Sequence, residues 1–527
     1  MESEAAGLEF HAAGEALMKA HALGDLVGAA EIVDRWGVDL AHTSFAGALY
    51  DIVADLPPEL GTARPGLAFR LEDIGRLPIG TTPLGLPENA EEARIECARN
   101  GDLRLRQSLL PLTTRRRLGR YVEATSIVRA AAPLAAACAY PWYGGRSQIL
   151  PYWHLQAGIT LQLAGDLQDA QHHFLEGWTH RARDPYGFVA RDLAAKLALQ
   201  HAFLGERAAC DVWFDRALAA ERRTDLWVDH FVESSLGMVT LIQAVDQLDP
   251  DSSSRLAATL HPGQSTGLWP LLMYIFVQHA LAHGDPSKAL RHLEDSVDAR
   301  PRALAGTGLA GALVPLVRGE IHLALGQGHQ ALTSIEGSDE VAGLTLALRA
   351  RILVLAGQPS AALAQVAELK VRRDTCPRAL AEGLLAAAAA HLAVGDREAA
   401  VRAAADAVKR VKEQEALRLL GKVPRAALAT LAPEVPGLGS LLAALETTSG
   451  EDRHPSPVQL ILTTERERDL LRELNTDRTL AQIAAANYVS VNTVRTHLAN
   501  LRRKLDARSR EEVVTKARQL GLLEDPQ

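Results

Sequence analysis

The chain has 527 residues, too many for one compact core, so two or more domains or an extended repeat array are expected. Hydrophobic residues make up 47% and charged residues 23%, a soluble balance, and the low aromatic content of 5% beside abundant alanine and leucine favours helices. The net charge of −8 argues by itself against nucleic-acid binding, and four cysteines widely spaced in sequence exclude both a CxxC zinc site and a disulfide framework.

The N-terminal stretch MESEAAGLEFHAAGEAL is acidic and lacks a basic region followed by an apolar run, so it does not read as a signal peptide. From there one local pattern recurs. A helical run ends in Gly, a short polar turn follows, and a small residue stands five positions after the Gly. The glycines are Gly24, Gly119, Gly165, Gly205, Gly284, Gly326, Gly357 and Gly395; the fifth residues are Ala29, Ala124, Ala170, Cys210, Ala289, Ala331, Ala362 and Ala400. Gly supplies the left-handed cap that stops one helix. Asp, Pro or Ser after it starts the next. The small residue lets the two helices of a hairpin approach closely. Such units bury their apolar faces only by stacking, so residues 1–446 are expected to form an α-solenoid, almost wholly helical and curved.

Three places stand apart. Leu56 to Asn89 is rich in Pro and Gly and reads as a long loop, a possible sub-boundary. Asp246 to Ser254 falls where another turn is due. Leu268 to Leu281 is the most apolar stretch, too short to span a bilayer, and reads as a buried helix.

Several chemistry-like features are discounted. Gly306 to Gly311 spells GxGxxG, but no strand precedes it, so a dinucleotide site is not expected. His172, His173 and His201 lack ligand-like partners. No GxxxxGK[ST], HExxH or GxSxG occurs, so neither catalytic residues nor a metal or cofactor are expected. Free cysteines, Cys97, Cys138, Cys210 and Cys376, fit a reducing cytoplasm.

Residues 447–457 have no periodicity and read as a linker. Beyond it the charge inverts. Val458 to Leu523 holds 12 Lys+Arg against 8 Asp+Glu, a balance of +4, which leaves −12 on the rest of the chain. A basic tail on an acidic body is the asymmetry of a chain in which one module carries an electrostatic footprint. Capping boxes open helices at Thr464 with Glu467, at Thr479 with Gln482 and at Ser509 with Glu512. A further helix opens at Ser490, an N-cap residue. That helix carries Val491, Val494, Leu498, Leu501 and Leu505 on one stripe and Asn492, Arg495, Thr496, Ala499 and Arg503 opposite. The short turn at Tyr488–Ser490 gives a helix-turn-helix, Leu480 to Ala499.

The landmarks TERERDLL, TLAQIA, VSVNTVRTHLANLRRKL and SREEVV…A…GLL resemble the LuxR-type (GerE-type) DNA-binding domain, a four-helix module. The resemblance covers residues 458–523. It implies an all-α chain in which a solenoid similar to tetratricopeptide repeats carries a C-terminal helix-turn-helix. It further implies that Arg495 and Thr496 contact base edges in double-stranded DNA, with Ala499 against thymine methyls. Ser490, Asn492, Thr493 and Asn500 are expected at phosphates, and Arg502, Arg503 and Lys504 add electrostatic attraction. Val513, Val514, Ala517 and Leu520 on the fourth helix are dimerisation candidates, for a homodimer on DNA. Departures from the family pattern are Asn487 where an apolar residue is usual, Asp477 where Gly is usual, and Ala499 where polar residues are common. The arrangement is also similar to the C-terminal part of large MalT-like regulators, without their ATPase.

The expected function is therefore a cytoplasmic transcription factor, with no membrane association, whose helical region receives a signal from a small molecule or a protein. The alternative is an interaction scaffold whose terminal helices bind protein and not DNA. Basic charge on the polar face of the third helix favours the first.

Overall fold

The computed structural model describes residues 2–139, 147–222, 228–260, 267–283, 285–338, 341–449, 458, 460, 464–476, 478–520 and 522–523. Every regular element among them is helical. Backbone contacts divide the chain into two compact units. The first comprises Met1–Ala244, Asp251–Ile275 and Ser296–Ala312, and the second Val245–Pro250, Phe276–Asp295 and Leu313–Gln527.

The Gly-plus-five pattern is a steric rule. Gly24, Gly119, Gly165, Gly205, Gly326, Gly357 and Gly395 all take positive φ, between 69° and 97°; Gly284 lies outside the described residues. After each of the eight, the next residue's N–H donates to the carbonyl five positions back, as in Asp166 to Leu161 at 2.9 Å and Asp396 to His391 at 2.9 Å. This bond satisfies a carbonyl the ended helix leaves orphaned. Ala29, Ala124, Ala170, Cys210, Ala289, Ala331, Ala362 and Ala400 are each 0% exposed. A larger side chain at these points would hold the two helices of the hairpin apart.

In the first unit, helix Ala90–Arg117 pairs with Tyr121–Ala139, Leu150–Ala164 with Leu167–Thr179, and Val189–Leu204 with Arg207–Ala219. The first helix of each pair also packs on the first helix of the next. That double role explains two kinds of composition. Leu150–Ala164 and Val189–Leu204 are buried on all sides, whereas Leu167–Thr179 buries only Leu167, Ala170, Phe174 and Gly177, one helical stripe. Polar side chains inside the inner row are paired along it. The Arg116 guanidinium donates to Gln156 Oε1 at 2.9 Å, Gln162 donates to Gln200 at 3.2 Å, and Lys196 donates to Ser235 Oγ at 3.0 Å. Tyr121–Ala139 is long and apolar enough to cross a membrane by length and composition alone, but half of it is buried against protein.

The structure revises the expected long loop at Leu56 to Asn89. Residues Pro58–Ala63 form a 3-10 turn and Pro65–Asp73 an α-helix, whose Leu67 and Leu71 enter the N-terminal core. Pro65 sits in the first turn, where its missing N–H costs nothing. The long irregular stretch shortens to residues 74–89. The Asp246–Ser254 stretch does turn, with Leu248 at φ 59° between helices Asp229–Gln247 and Pro250–Thr259. Helix Trp269–Ala282 occupies the most apolar stretch and is buried along most of its length.

The GxGxxG glycines have a packing explanation. The segment is preceded by helix Arg302–Ala305, and Gly308 opens helix Gly308–Ala324 at φ 57°. A Cβ there would lie 2.3 Å from the Leu163 carbonyl oxygen. Distant cysteines also meet beside Gly101: Cys97 and Cys138 are both buried free thiols, and burial pushes the Cys138 thiol far above its ordinary value.

The second unit is held by a buried ion network that no sequence pattern announced. Arg378 makes a bidentate pair with Asp246 at 2.8 and 2.7 Å, and Arg418 reaches the same carboxylate at 2.8 Å. Arg418 also donates to Gln278 at 2.6 Å, and Gln278 in turn donates to Glu320. Lys422 bridges Glu320 and Glu382, each at 2.7 Å, and Arg351 lies 3.1 Å from Glu320. Every member is at most 9% exposed. Beside it, the alanine-rich face Ala400, Ala403, Ala404 and Ala407 packs on helix Pro377–Ala393. The helix Leu438–Ser449 runs into the expected linker, covering Thr447, Thr448 and Ser449; residues 450–457 lie outside the described residues.

Burial alone would raise the Glu320 carboxyl, but Lys422 and Arg351 outweigh it and hold it at about 2. A carboxyl held below its unfolded value contributes stability above the ordinary Glu range, and that contribution is lost as pH falls toward the folded value. Urea unfolding is therefore expected to show the second unit weakening from about pH 5 down to about pH 2. Glu320→Gln strands the cations and should cost about 3–5 kcal/mol at pH 7. The same variant should lose less stability on acidification than the wild-type chain; an equal loss in both would show that Glu320 is not the titrating member.

Candidate nucleic-acid interface

The C-terminal module begins at the Thr464 N-cap. Val458 belongs elsewhere: it packs on Gly328 and donates its N–H to the Leu355 carbonyl at 3.0 Å, so it is seated on the repeats of the second unit. Four helices follow, Glu465–Leu474, Leu480–Ala486, Val491–Lys504 and Arg510–Gln519. Each begins where a side chain supplies the acceptor that the first N–H groups need. Thr464 and Glu467 form a reciprocal box at 3.3 and 2.8 Å, and Thr479 and Gln482 another at 3.3 and 2.9 Å. Ser490 Oγ accepts from Thr493 N–H at 3.0 Å. The Ser509 box departs from expectation. Ser509 Oγ caps Glu512 N–H at 3.1 Å, but the Glu512 carboxylate accepts from Arg508 N–H, one residue further out.

Leu470, Leu471, Leu474, Ile483, Val494, Leu498, Leu501, Leu505, Val513 and Ala517 make one core. The third helix divides as its sequence predicts. Val494, Leu498, Leu501 and Leu505 are buried, while Asn492, Arg495, Thr496, Ala499 and Arg503 are exposed. Thr493, Asn500 and Arg502 lie half-buried at the edges, and His497 does too. Thr496 Oγ1 donates to the Asn492 carbonyl at 2.9 Å, which leaves its oxygen as an acceptor. Arg503 donates to Asn500 Oδ1 at 3.3 Å.

The turn between the second and third helices closes with Val489 N–H donating to the Ala484 carbonyl at 3.0 Å. Tyr488 stands at its left-handed position, φ 54°, with its side chain 98% exposed. A bulky residue there is strained by about 1 kcal/mol or more. Asn487, where an apolar residue is usual, ends the second helix usefully: its Nδ2 donates to the Ile483 carbonyl at 3.0 Å. Asp477 and Gly521 lie outside the described residues.

Two expectations are corrected. Lys504 is not a free cation on the reading face; its ammonium lies 2.6 Å from the buried Glu467 carboxylate. Burial would raise Glu467, but Lys504 and the Thr464 N–H prevail and hold it below the usual range. The second correction concerns the fourth helix. Val513 and Ala517 are 0% exposed inside their own domain, so neither is available to a second copy. Val514 and Leu520 remain half-buried at the surface.

Other cations are bonded within the domain as well. Arg510 donates to the carbonyls of Leu474 at 3.0 Å, Thr476 at 2.6 Å and Arg478 at 2.7 Å, closing the end of the first helix. Arg518 reaches Asn475 Oδ1 at 2.6 Å. The basic balance read from composition thus overstates what faces solvent, and Arg495, Arg502 and Arg503 carry the charge on the third helix.

Two capped helices joined by a short turn over a shared core, the second of them presenting a polar face outward, define a helix-turn-helix DNA-binding domain. Residues 462–517 match the family described as bacterial regulatory proteins of the luxR family. The chain is similar to the spore germination protein GerE of Bacillus subtilis (strain 168), at 36% identity over 63 residues, which is 12% of this chain and 85% of that protein. The chain belongs to the luxR family of bacterial regulatory proteins, and its C-terminal domain makes it a DNA-binding transcription regulator.

The division of the third helix separates a packed side from an exposed one. Leu498→Ala should destabilise the domain by about 2–5 kcal/mol through the cavity it leaves. Arg495→Ala should change stability by no more than about 0.5 kcal/mol. Chemical denaturation of both variants checks this; comparable losses would mean that the outward face is also structural.

Proposed function

We propose that the chain regulates transcription by reading a specific sequence in double-stranded DNA through the helix Val491–Lys504, under the control of a signal received by its helical repeats. The observation that carries the reading is the exposed row Asn492, Arg495, Thr496, Ala499 and Arg503 on a helix whose opposite side is locked into a family-defining core. Arg495 and Thr496 read base edges in the major groove, and Ala499 contacts thymine methyls. Ser490, Asn492, Thr493 and Asn500 hold phosphates, the first of them at a helix N-terminus where N–H groups favour anions. Arg502 and Arg503 add attraction without sequence preference. The chemistry is binding, with no catalytic step, and the reading places the protein in the cytoplasm.

Two copies are expected on DNA. A single module with few outward cations binds weakly at physiological salt, and a two-fold pair reads half-sites about one helical turn apart. Val514 and Leu520 are the surface that remains for pairing. The repeats supply the receiving surface, because stacked helical hairpins present extended faces to partners or ligands.

Selection of bound fragments from genomic DNA defines the operator. On it, Arg495→Ala should weaken binding by about 1–3 kcal/mol across a salt series, as expected for a guanine contact. Wild-type affinity in that variant would remove Arg495 from the reading set. Scrambling one half-site should lower affinity and halve the footprint; an unchanged footprint would rule out paired recognition.

A further inference from the structure

The first unit contains a cavity of about 450 Å³ bordered by Trp178, Arg181, Asp184, Arg191 and Arg216, with Gly187, Ala190, Ala219 and Ala220 as small lining residues. We propose that it binds a small organic anion, an aromatic ring bearing a carboxylate or a phosphate. The volume falls within the usual range for small-ligand sites.

The case rests on how the charges and rings are arranged. Trp178 and Trp213 meet edge to face, centroids 5.2 Å apart at 89°. The Arg216 guanidinium lies over both, 4.3 Å from the Trp213 ring and 5.6 Å from Trp178, and Arg181 lies 4.5 Å from Trp178. Stacking holds the planes of both guanidiniums while their N–H edges stay available. Arg181 gives one of these to the Trp178 carbonyl at 2.9 Å. Neither Arg181 nor Arg216 makes an ion pair with a carboxylate among the described residues.

The acids nearby do not neutralise them. Asp184 is turned onto its own backbone: its two oxygens accept from Tyr186 N–H at 2.9 Å and Val189 N–H at 2.8 Å, and burial pushes its carboxyl up to about 6. Glu221 is exposed. Arg191 is already paired, 2.8 Å from Asp229 and 2.5 Å from Glu233. Two positioned guanidinium forks beside an indole, uncompensated among the described residues, are a receptor for a planar oxyanion, since a fork donates two parallel bonds to carboxylate or phosphate. The small lining residues leave room for a ring against the indole. As the site through which a signal enters, the pocket rests on the regulator reading above; as a binding site it does not.

The test uses the full-length chain without DNA. Tryptophan fluorescence and calorimetry would follow titration with benzoate, phenyl phosphate, inorganic phosphate and benzyl alcohol. Saturable binding of benzoate or phenyl phosphate is expected, at least tenfold tighter than the uncharged benzyl alcohol and than phosphate alone. Arg181→Gln with Arg216→Gln, both exposed positions whose fold circular dichroism would verify, should weaken that binding at least tenfold. No saturable binding by either aromatic anion, or undiminished binding in the double variant, would overturn the site. Equal affinity for inorganic phosphate would overturn its aromatic half. Operator affinity measured with and without saturating phenyl phosphate then tests the signalling role: a shift supports it, and no shift removes that role while leaving the pocket and the DNA-binding reading standing.

Discussion

A helix whose chain must double back at once can satisfy a last carbonyl by passing through a left-handed residue and returning an N–H to it. That single backbone device recurs from end to end. In the repeats glycine occupies the left-handed position, because without a Cβ it adopts positive φ at little cost. The same bond closes three turns without glycine: Ala416 to Val411 past Glu415, Val489 to Ala484 past Tyr488, and Ala507 to Arg502 past Asp506. Two of these three lie in the DNA-binding domain. Residues there are held in the left-handed region because the packed helices on either side determine the path. The alanine or cysteine that follows each repeat glycine then sets how closely two helices approach, and the hairpin becomes a unit that can stack.

What could be read from sequence follows from this locality. A turn needs its glycine, polar cap and small residue within a span of six positions, so the repeats were visible as a pattern. The capping boxes and the two faces of the third helix were visible for the same reason, since each is written within one or two helical turns. The ion network was not. Asp246, Gln278, Glu320, Arg351, Glu382 and Lys422 are spread along most of the second unit, and nothing in each local stretch distinguishes them from surface charges. The tryptophan–arginine cavity is hidden similarly, because Arg181 and Arg216 stand in different hairpins. Lys504 was misplaced because composition and spacing count charges without saying which way they face. Val513 and Ala517 were named as pairing candidates because the apolar spacing of a short helix does not say which positions its own core takes.

The two units solve the problem of buried polar groups in different ways. The first spreads small separate pairs between successive helices, neutral as Gln162 with Gln200 or ionic as Arg191 with Asp229. The second concentrates carboxylates and cations in one network around Glu320, where each member depends on the others. A ladder of separate pairs loses one rung at a time. A shared network couples distant parts of the chain, so that removal of one charge leaves several others buried without compensation.

The two-sided construction of the third helix also bears on how such a protein changes over generations. Val494, Leu498, Leu501 and Leu505 answer to the core alone, while Arg495, Thr496 and Ala499 touch nothing that the domain needs in order to fold. Substitutions at the outward positions therefore escape the stability threshold that removes most new variants. If those positions read DNA as proposed above, a lineage can drift to a new set of target genes through these few codons while the scaffold stays constant.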